Sequence, residues 1–499
     1  MQDSIQSGAR RALSDPGDIR HMLRRLTFAS TAEMESSLRG MSVEDAFDSL
    51  VNGAKKAPHP APPEFVRTVW TNSAHLFTGM SSDQYQMMFT GQDEAARRDI
   101  ELLRQWWLQE MIAGPAPLRE NLALFFHGTF GSTTGSVNMP QALHGTNALL
   151  RRSCVGTIPA MLEQMVRDPA MMIQTGMDEY RQEMMRDPEF PNFRPAQLIL
   201  NNWTVGPGAY SKEDVEELCR ALTGWVLVAP SGYEPEKTVD PKGFRSQRRT
   251  GLVPVFQPEH FVEGPKTILG IRDEFDARSA VLFLARHPAT ARRFSQLLIR
   301  YFGVEDSSKR LERRLIATYR ATDGSIVALL REIVLSEEFW SSESRWQLIK
   351  SPVQLVVGAC RQLENTEPPL AQITSWLAAT GQTLFQTPSF GDAGWTGQEA
   401  WVTPPDRMAV RYQLGLVLAG RTPRLGIAAP AAPAPTAPGQ RVSGKSLAGA
   451  TTAALLERLD PAPGIDLSAI ERRIAGLDRE ARINEAVRSI AATMQYQLA

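Results

Sequence analysis

Three cysteines in 499 residues, Cys154, Cys219 and Cys360, stand far apart with no paired motif among them. That scarcity excludes a disulfide framework and a zinc knuckle. Long apolar runs are missing as well. None approaches the roughly 18 residues that a membrane span needs. The opening MQDSIQSGARRALSDPG has no apolar stretch of the signal-peptide kind. Net charge is nearly absent, at −1, so no global field draws in nucleic acid or an anionic membrane. Lysine is scarce, 9 against 45 arginines, and with abundant Ala and Pro this fits a GC-rich genome better than phosphate recognition. These absences predict a cytoplasmic protein in a reducing compartment, with neither nucleic acid nor membrane as partner.

What is present is ordinary for a globular chain: 42% hydrophobic and 22% charged residues. The dominant period is helical. Phe294, Leu297, Leu298, Tyr301 and Phe302 fall at i, i+3, i+4, i+7 and i+8, one broad apolar face. Val215, Leu218, Cys219 and Leu222 repeat the pattern behind Ser211 and Asp214, which stand at capping-box spacing, and Gly224 supplies a stop. Further stripes run through Ile158–Met165, Leu311–Tyr319 and Ile326–Ile333, and core packing is their plain reading. Strand signals are few. TGWVLVAP and KTILGI are predicted to pair as one small hairpin within a loop excursion at about 225–271, whose basic residues Arg245, Arg248 and Arg249 read as a solvated loop or an anion contact. The predicted fold is mainly α, a large multi-helix single body with that hairpin excursion. Its expected divisions are an N-terminal extension (1–17), a helical domain (18–426), an Ala/Pro linker (427–440) and C-terminal helices (441–499) packed on the main body.

Four segments carry a resemblance. HMLRRLTFAS (21–30) is similar to H-L-L-R-R-A-T-F-G, and PLRENLALFFHGTFGS (117–132) to P-L-R-E-K-M-A-L-F-W-H-N-H-F. AYSKEDVEELCRALTGW (209–225) is similar to Y-T-Q-x-D-V-x-E-x-A-R-A-L-T-G-W, and GQTLFQTPSFGDAGWTGQEAW (381–401) to G-Q-x-P-F-x-P-P-N-V-x-G-W-P-G-G-x-x-W. HFVEGPKTILG (260–270), HPATARRF (287–294) and KSPVQLVVGACRQL (350–363) keep the same order. Together they resemble the bacterial family catalogued as domain of unknown function eighteen-hundred, from about residue 18 to the C-terminus. The resemblance implies a helical architecture and a sulfatase-like family as a neighbour and possible protein partner. It implies no reaction.

The chain departs from that pattern where the pattern is richest in ligand-type groups. H-N-H-F would set two histidines two residues apart, and N-x-x-A-R-E-L-M-E-L-H-T-L-G two carboxylates on one helical face with a histidine beyond. Such groups suit a transition metal or general acid–base work. Here His127 remains and the second histidine is Thr129. The glutamates fall on Leu198 and Asn201 and the histidine on Trp203, after Pro195. His260 is followed by Phe261 instead of Asp, and the K-S-P-x-E glutamate is Gln354. None of the replacements transfers protons near neutral pH or holds a divalent ion well. No metal and no cofactor is therefore expected, unless acids such as Asp178 or Glu179 join the surviving histidines.

The candidate catalytic residues are His127 and His260. The candidate substrate-binding residues are Arg119, Glu120, Asn201, Asn202, Trp225 and Trp395. Arg119 and Glu120 read equally as an ion pair inside a helical bundle, and the tryptophans, Trp401 included, as core. GTFGSTTGS (128–136) can hold a polar group through backbone N–H donors, but it lacks the order of a P-loop. No Gly-x-Ser-x-Gly elbow occurs. Three functions are open: a non-catalytic accessory or scaffold subunit for a partner enzyme, an enzyme of specialised metabolism with altered chemistry around His127 and His260, and a binding module for a small molecule or peptide.

Overall fold

Helix-start chemistry repeats along the chain and sets its architecture. Ser211 Oγ accepts the Asp214 N–H at 3.2 Å, and the Asp214 carboxylate accepts the Ser211 N–H at 2.8 Å, closing the capping box at the head of helix Lys212–Leu222. Ser351 and Gln354 make the same reciprocal pair at 3.2 and 3.0 Å before helix Pro352–Gln362. His287 caps helix Pro288–Tyr301, its Nδ1 accepting the Ala289 N–H at 3.2 Å. The computed structural model describes residues 11–67, 82–177, 193–228, 252–387, 401, 405–418, 452–477, 479–493 and 495–498. Among them helix dominates, and the apolar stripes read from sequence are its buried faces: Phe294, Leu297, Leu298 and Phe302 are all enclosed. No helix among the described residues is long and apolar enough to cross a membrane.

The β content differs from the expected single hairpin. Strands β1 (Trp225–Val228) and β2 (Val253–Phe256) pair antiparallel, while β3 (Lys266–Ile268) pairs with β4 (Ile271–Asp273). WVLV and KTI therefore belong to two separate hairpins. The reason is local. Leu269 and Gly270 both take positive φ, +48° and +78°, so the chain reverses at once after Ile268 and pairs with its own continuation. The Arg245, Arg248 and Arg249 cluster and the 427–440 linker lie outside the described residues.

Two apolar cores divide the interior. The first gathers Leu122, Phe126 and Phe130 with Leu200, Trp203, Phe294 and their neighbours. The second gathers Trp107, Leu143, Val356, Trp376 and Phe385. Helices Thr452–Leu459, Leu467–Ile474 and Arg479–Ala491 bring Leu455, Leu459, Ile470, Ile474, Val487 and Ile490 to that second core. Helix Pro117–Phe130 serves both, giving Leu122 and Phe125 to one and Ala123 and Leu124 to the other. A helix apolar on every side must be surrounded by protein, and this one runs between the two cores. Successive side chains advance by about 100° around its axis, so residues two apart face nearly opposite ways.

Candidate functional site

His127 turns toward the second core. Its ring meets Trp107 edge-on at 4.9 Å and Phe385 at 5.2 Å, and it is 1% exposed. The Phe385 N–H donates to Nε2 at 3.1 Å, so the neutral ring carries its proton on Nδ1. Burial with no nearby counter-charge pushes its pKa down to about 3. The chain leaving the helix closes over this histidine. A Cβ on Gly131 would stand 2.3 Å from the His127 carbonyl oxygen and 2.7 Å from Nδ1, so only glycine fits there.

Thr129, two residues on, faces the other way. With Gly128 it lines a cleft of about 70 Å³ between the cores, room for on the order of five waters. Leu124, Phe125, Leu297, Leu348 and Trp401 form its apolar wall. Ser351, Gln354 and Gln382 gather at the N-terminus of the 352–362 helix, and Arg300 and Tyr301 come from the end of the 288–301 helix. Thr129 donates to the Phe125 carbonyl at 3.0 Å. Tyr301 donates to Asn121, 2.8 Å from Oδ1, and Gln354 bonds the phenol, whose burial pushes its pKa well above the ordinary range. Gln382 accepts the Val353 N–H at 2.9 Å.

The two-histidine motif thus acquires a geometry that the sequence reading did not give it. Both positions lie within one helix, and positions 127 and 129 open on different compartments. They cannot converge on one ion while the helix stays intact. The remaining departures also scatter. Leu198 and Trp203 fill the first core, Trp203 meeting Phe130 at 6.0 Å. Phe261 sits under the Lys266 ammonium at 4.5 Å, beside Phe256. Thr129 and Gln354 are the pair that the structure brings together in the cleft.

The other candidates occupy separate places. Arg119 and Glu120 are both 2% exposed. Arg119 donates to the Ala57 and Pro58 carbonyls at 2.8 Å each, and Glu120 accepts from Arg151 at 2.8 Å and from the Trp107 indole at 3.1 Å. Their groups face a buried structural network, with Arg151 stacked on Trp106 at 4.7 Å. Asn201 accepts the Tyr210 hydroxyl at 2.6 Å, and the Asn202 carbonyl accepts from Arg293 at 3.3 Å. Both lie in the π-helical turn Ile199–Trp203 that follows the Pro195 helix start. Trp225 lies on β1 against Phe256 at 5.5 Å with the Arg167 guanidinium above it at 5.4 Å. His260 is half-buried in the single turn Pro258–His260 after β2. Trp395, Asp178 and Glu179 lie outside the described residues.

In the 128–136 loop the Thr133 N–H donates to Gln174 at 2.7 Å and the Thr134 N–H to the Phe385 carbonyl at 2.8 Å, so these donors hold the loop itself. Among the described residues no group of three or more His, Cys, Asp or Glu side chains is placed to hold a metal ion. Sequence reasoning missed Arg300, Tyr301 and Gln382. Tyr301 was hidden in an apolar stripe, where only its final-turn position before Gly303 hints that it leaves the core.

A family model described as Protein of unknown function (DUF1800) matches residues 21–189 and 196–498. No curated protein and no solved structure matches the chain.

Proposed function

The chain belongs to the DUF1800 family, and we propose that it is a non-catalytic member, an accessory or scaffold subunit that serves a partner enzyme. One observation supports this above the others. The two positions where the family pattern sets a histidine and a glutamate, here Thr129 and Gln354, line one cleft, and both now carry groups that do not titrate. Of the described residues around that cleft, Arg300 is a fixed positive charge and Tyr301 holds its proton far above neutrality. General acid–base chemistry at pH 7 needs a group whose pKa lies near 7, and the described residues of this lining offer none. An enzyme built instead on His127 would have to draw a base from a buried ring already accepting the Phe385 N–H and depressed to about 3. The cytoplasmic assignment rests on three free, buried cysteines.

Elemental analysis of freshly purified chain tests the reading. Substoichiometric Fe, Mn, Cu and Zn is the expected result, and one equivalent of any of them overturns it. Co-expression with the sulfatase-like neighbour, followed by size-exclusion chromatography, tests the partnership: a co-eluting complex is expected, and separate elution removes the scaffold role. A binding role for the cleft itself is favoured by its mixed lining of donor groups and apolar side chains.

A further inference from the structure

The cleft has a chemical sign. Among the described residues lining it there is no carboxylate, and Arg300 is the one charged group, exposed at the rim and without a carboxylate partner among those residues. Deeper in, two side chains more than nine-tenths buried offer donors. Gln382, 2% exposed, uses its carbonyl to accept the Val353 N–H, and among the described residues no acceptor meets its amide NH₂. Ser351, 8% exposed, accepts the Gln354 N–H, and its hydroxyl proton likewise has no acceptor there. Both stand at the N-terminus of the 11-residue helix Pro352–Gln362, where the backbone field favours negative charge. Both residues line the cleft, where a ligand oxygen would take these donors.

We propose that this cleft binds a small organic carboxylate, its oxygens taking the donors of Gln382 and Ser351 and its apolar body resting on Leu124, Phe125 and Trp401, with Arg300 drawing the anion in. The apolar wall excludes a fully hydrated dianion such as inorganic phosphate, and the Arg300 charge at the rim disfavours cations. The inference deepens the binding role just described and is independent of whether the chain catalyses a reaction.

Isothermal titration of the full chain with benzoate, isovalerate, benzamide, benzylamine and inorganic phosphate tests it. The two acids bind, the neutral amide binds more weakly, and the amine and phosphate do not. Arg300→Glu changes an exposed residue, so folding is safe, and it weakens acid binding about tenfold. Gln382→Glu keeps an acceptor for the Val353 N–H, replaces the donors with a second carboxylate and abolishes acid binding, with thermal unfolding as the check on its fold. Acids that fail to bind at about 10 mM overturn the proposal. So does benzamide or benzylamine binding as tightly as benzoate, or an Arg300→Glu chain of unchanged affinity. None of these results bears on the elemental analysis, so the two readings fail separately.

Discussion

His127 and Thr129 stand two residues apart on one helix and inhabit different chemical worlds. The His127 side is dry: two aromatic rings, a backbone N–H and a glycine pressed against the ring enclose it. The Thr129 side opens on a cleft with Arg300 at its rim and amide and hydroxyl groups inside. A histidine in a ligand-like motif can therefore serve packing, while the position two residues beyond it faces an open cleft. Helical phase, about 200° between positions 127 and 129, keeps the two apart.

The largest break in this contrast comes from truncation. His127→Ala removes a buried ring between Trp107 and Phe385 and strands the Phe385 N–H, so unfolding free energy falls by about 3 kcal/mol or more. Thr129→Val keeps volume on the open face and removes one hydroxyl bond to the Phe125 carbonyl, so it costs about 1 kcal/mol or less. Urea denaturation of both variants measures the gap. Equal losses would mean that the two faces are alike and the packing role of His127 is mistaken.

Much of the fold was legible in the sequence because it rests on local rules. The Ser211–Asp214 box, the His287–Pro288 start and the Phe294 stripe are decided within a few residues, and each stands where spacing put it. The hairpins were half legible: WVLV and KTI are strands, but their partners depended on a turn at Leu269–Gly270 that a pattern of apolar residues does not reveal. The cleft was least legible. Its walls come from residues 124–129, 297–301, 348–354, 382 and 401, and no periodicity within one segment reports that these meet. Arg119 and Glu120 show the converse difficulty, since a charged pair ahead of a histidine looks like a site until Arg151, Trp107 and two carbonyls are seen to engage it.

A second contrast appears on acidification. His21, His127 and His144 are held neutral, at about 2, 3 and 4, chiefly by burial, with nearby arginines adding to the effect at His21 and His144. Each folded-state pKa lies below the unfolded value near 6.5, so the unfolded chain binds the proton first. Stability is therefore full above about pH 6.5 and is lost as pH falls below it, each histidine adding up to about 1.4 kcal/mol per pH unit to the slope. His127→Gln, whose amide can still accept the Phe385 N–H, flattens that limb without changing the cleft. Urea midpoints between pH 7 and pH 5 measure the slope, and a variant as acid-sensitive as the natural chain would place His127 in contact with solvent.

The smallest effect is expected at Gln354. Gln354→Glu restores a carboxylate on the open face, and opposing terms there nearly cancel. A glutamate oxygen can accept the Ser351 N–H as Gln354 does at 3.0 Å, and a negative charge in the first turn of the 352–362 helix is favourable by about 0.3–1 kcal/mol. Against this, Tyr301 loses the Gln354 bond to its phenol and would have to turn its proton from Asn121 to the new carboxylate. The net change in unfolding free energy is expected within about 0.5 kcal/mol. The same neutral-to-anionic change at His127, as His127→Glu, would bury a carboxyl among Trp107 and Phe385 and cost several times more, or hold the acid protonated at neutral pH. Thermal unfolding of the two glutamate variants side by side measures the asymmetry. A Gln354→Glu chain as damaged as the His127→Glu chain would show that the cleft face is as closed to charge as the core.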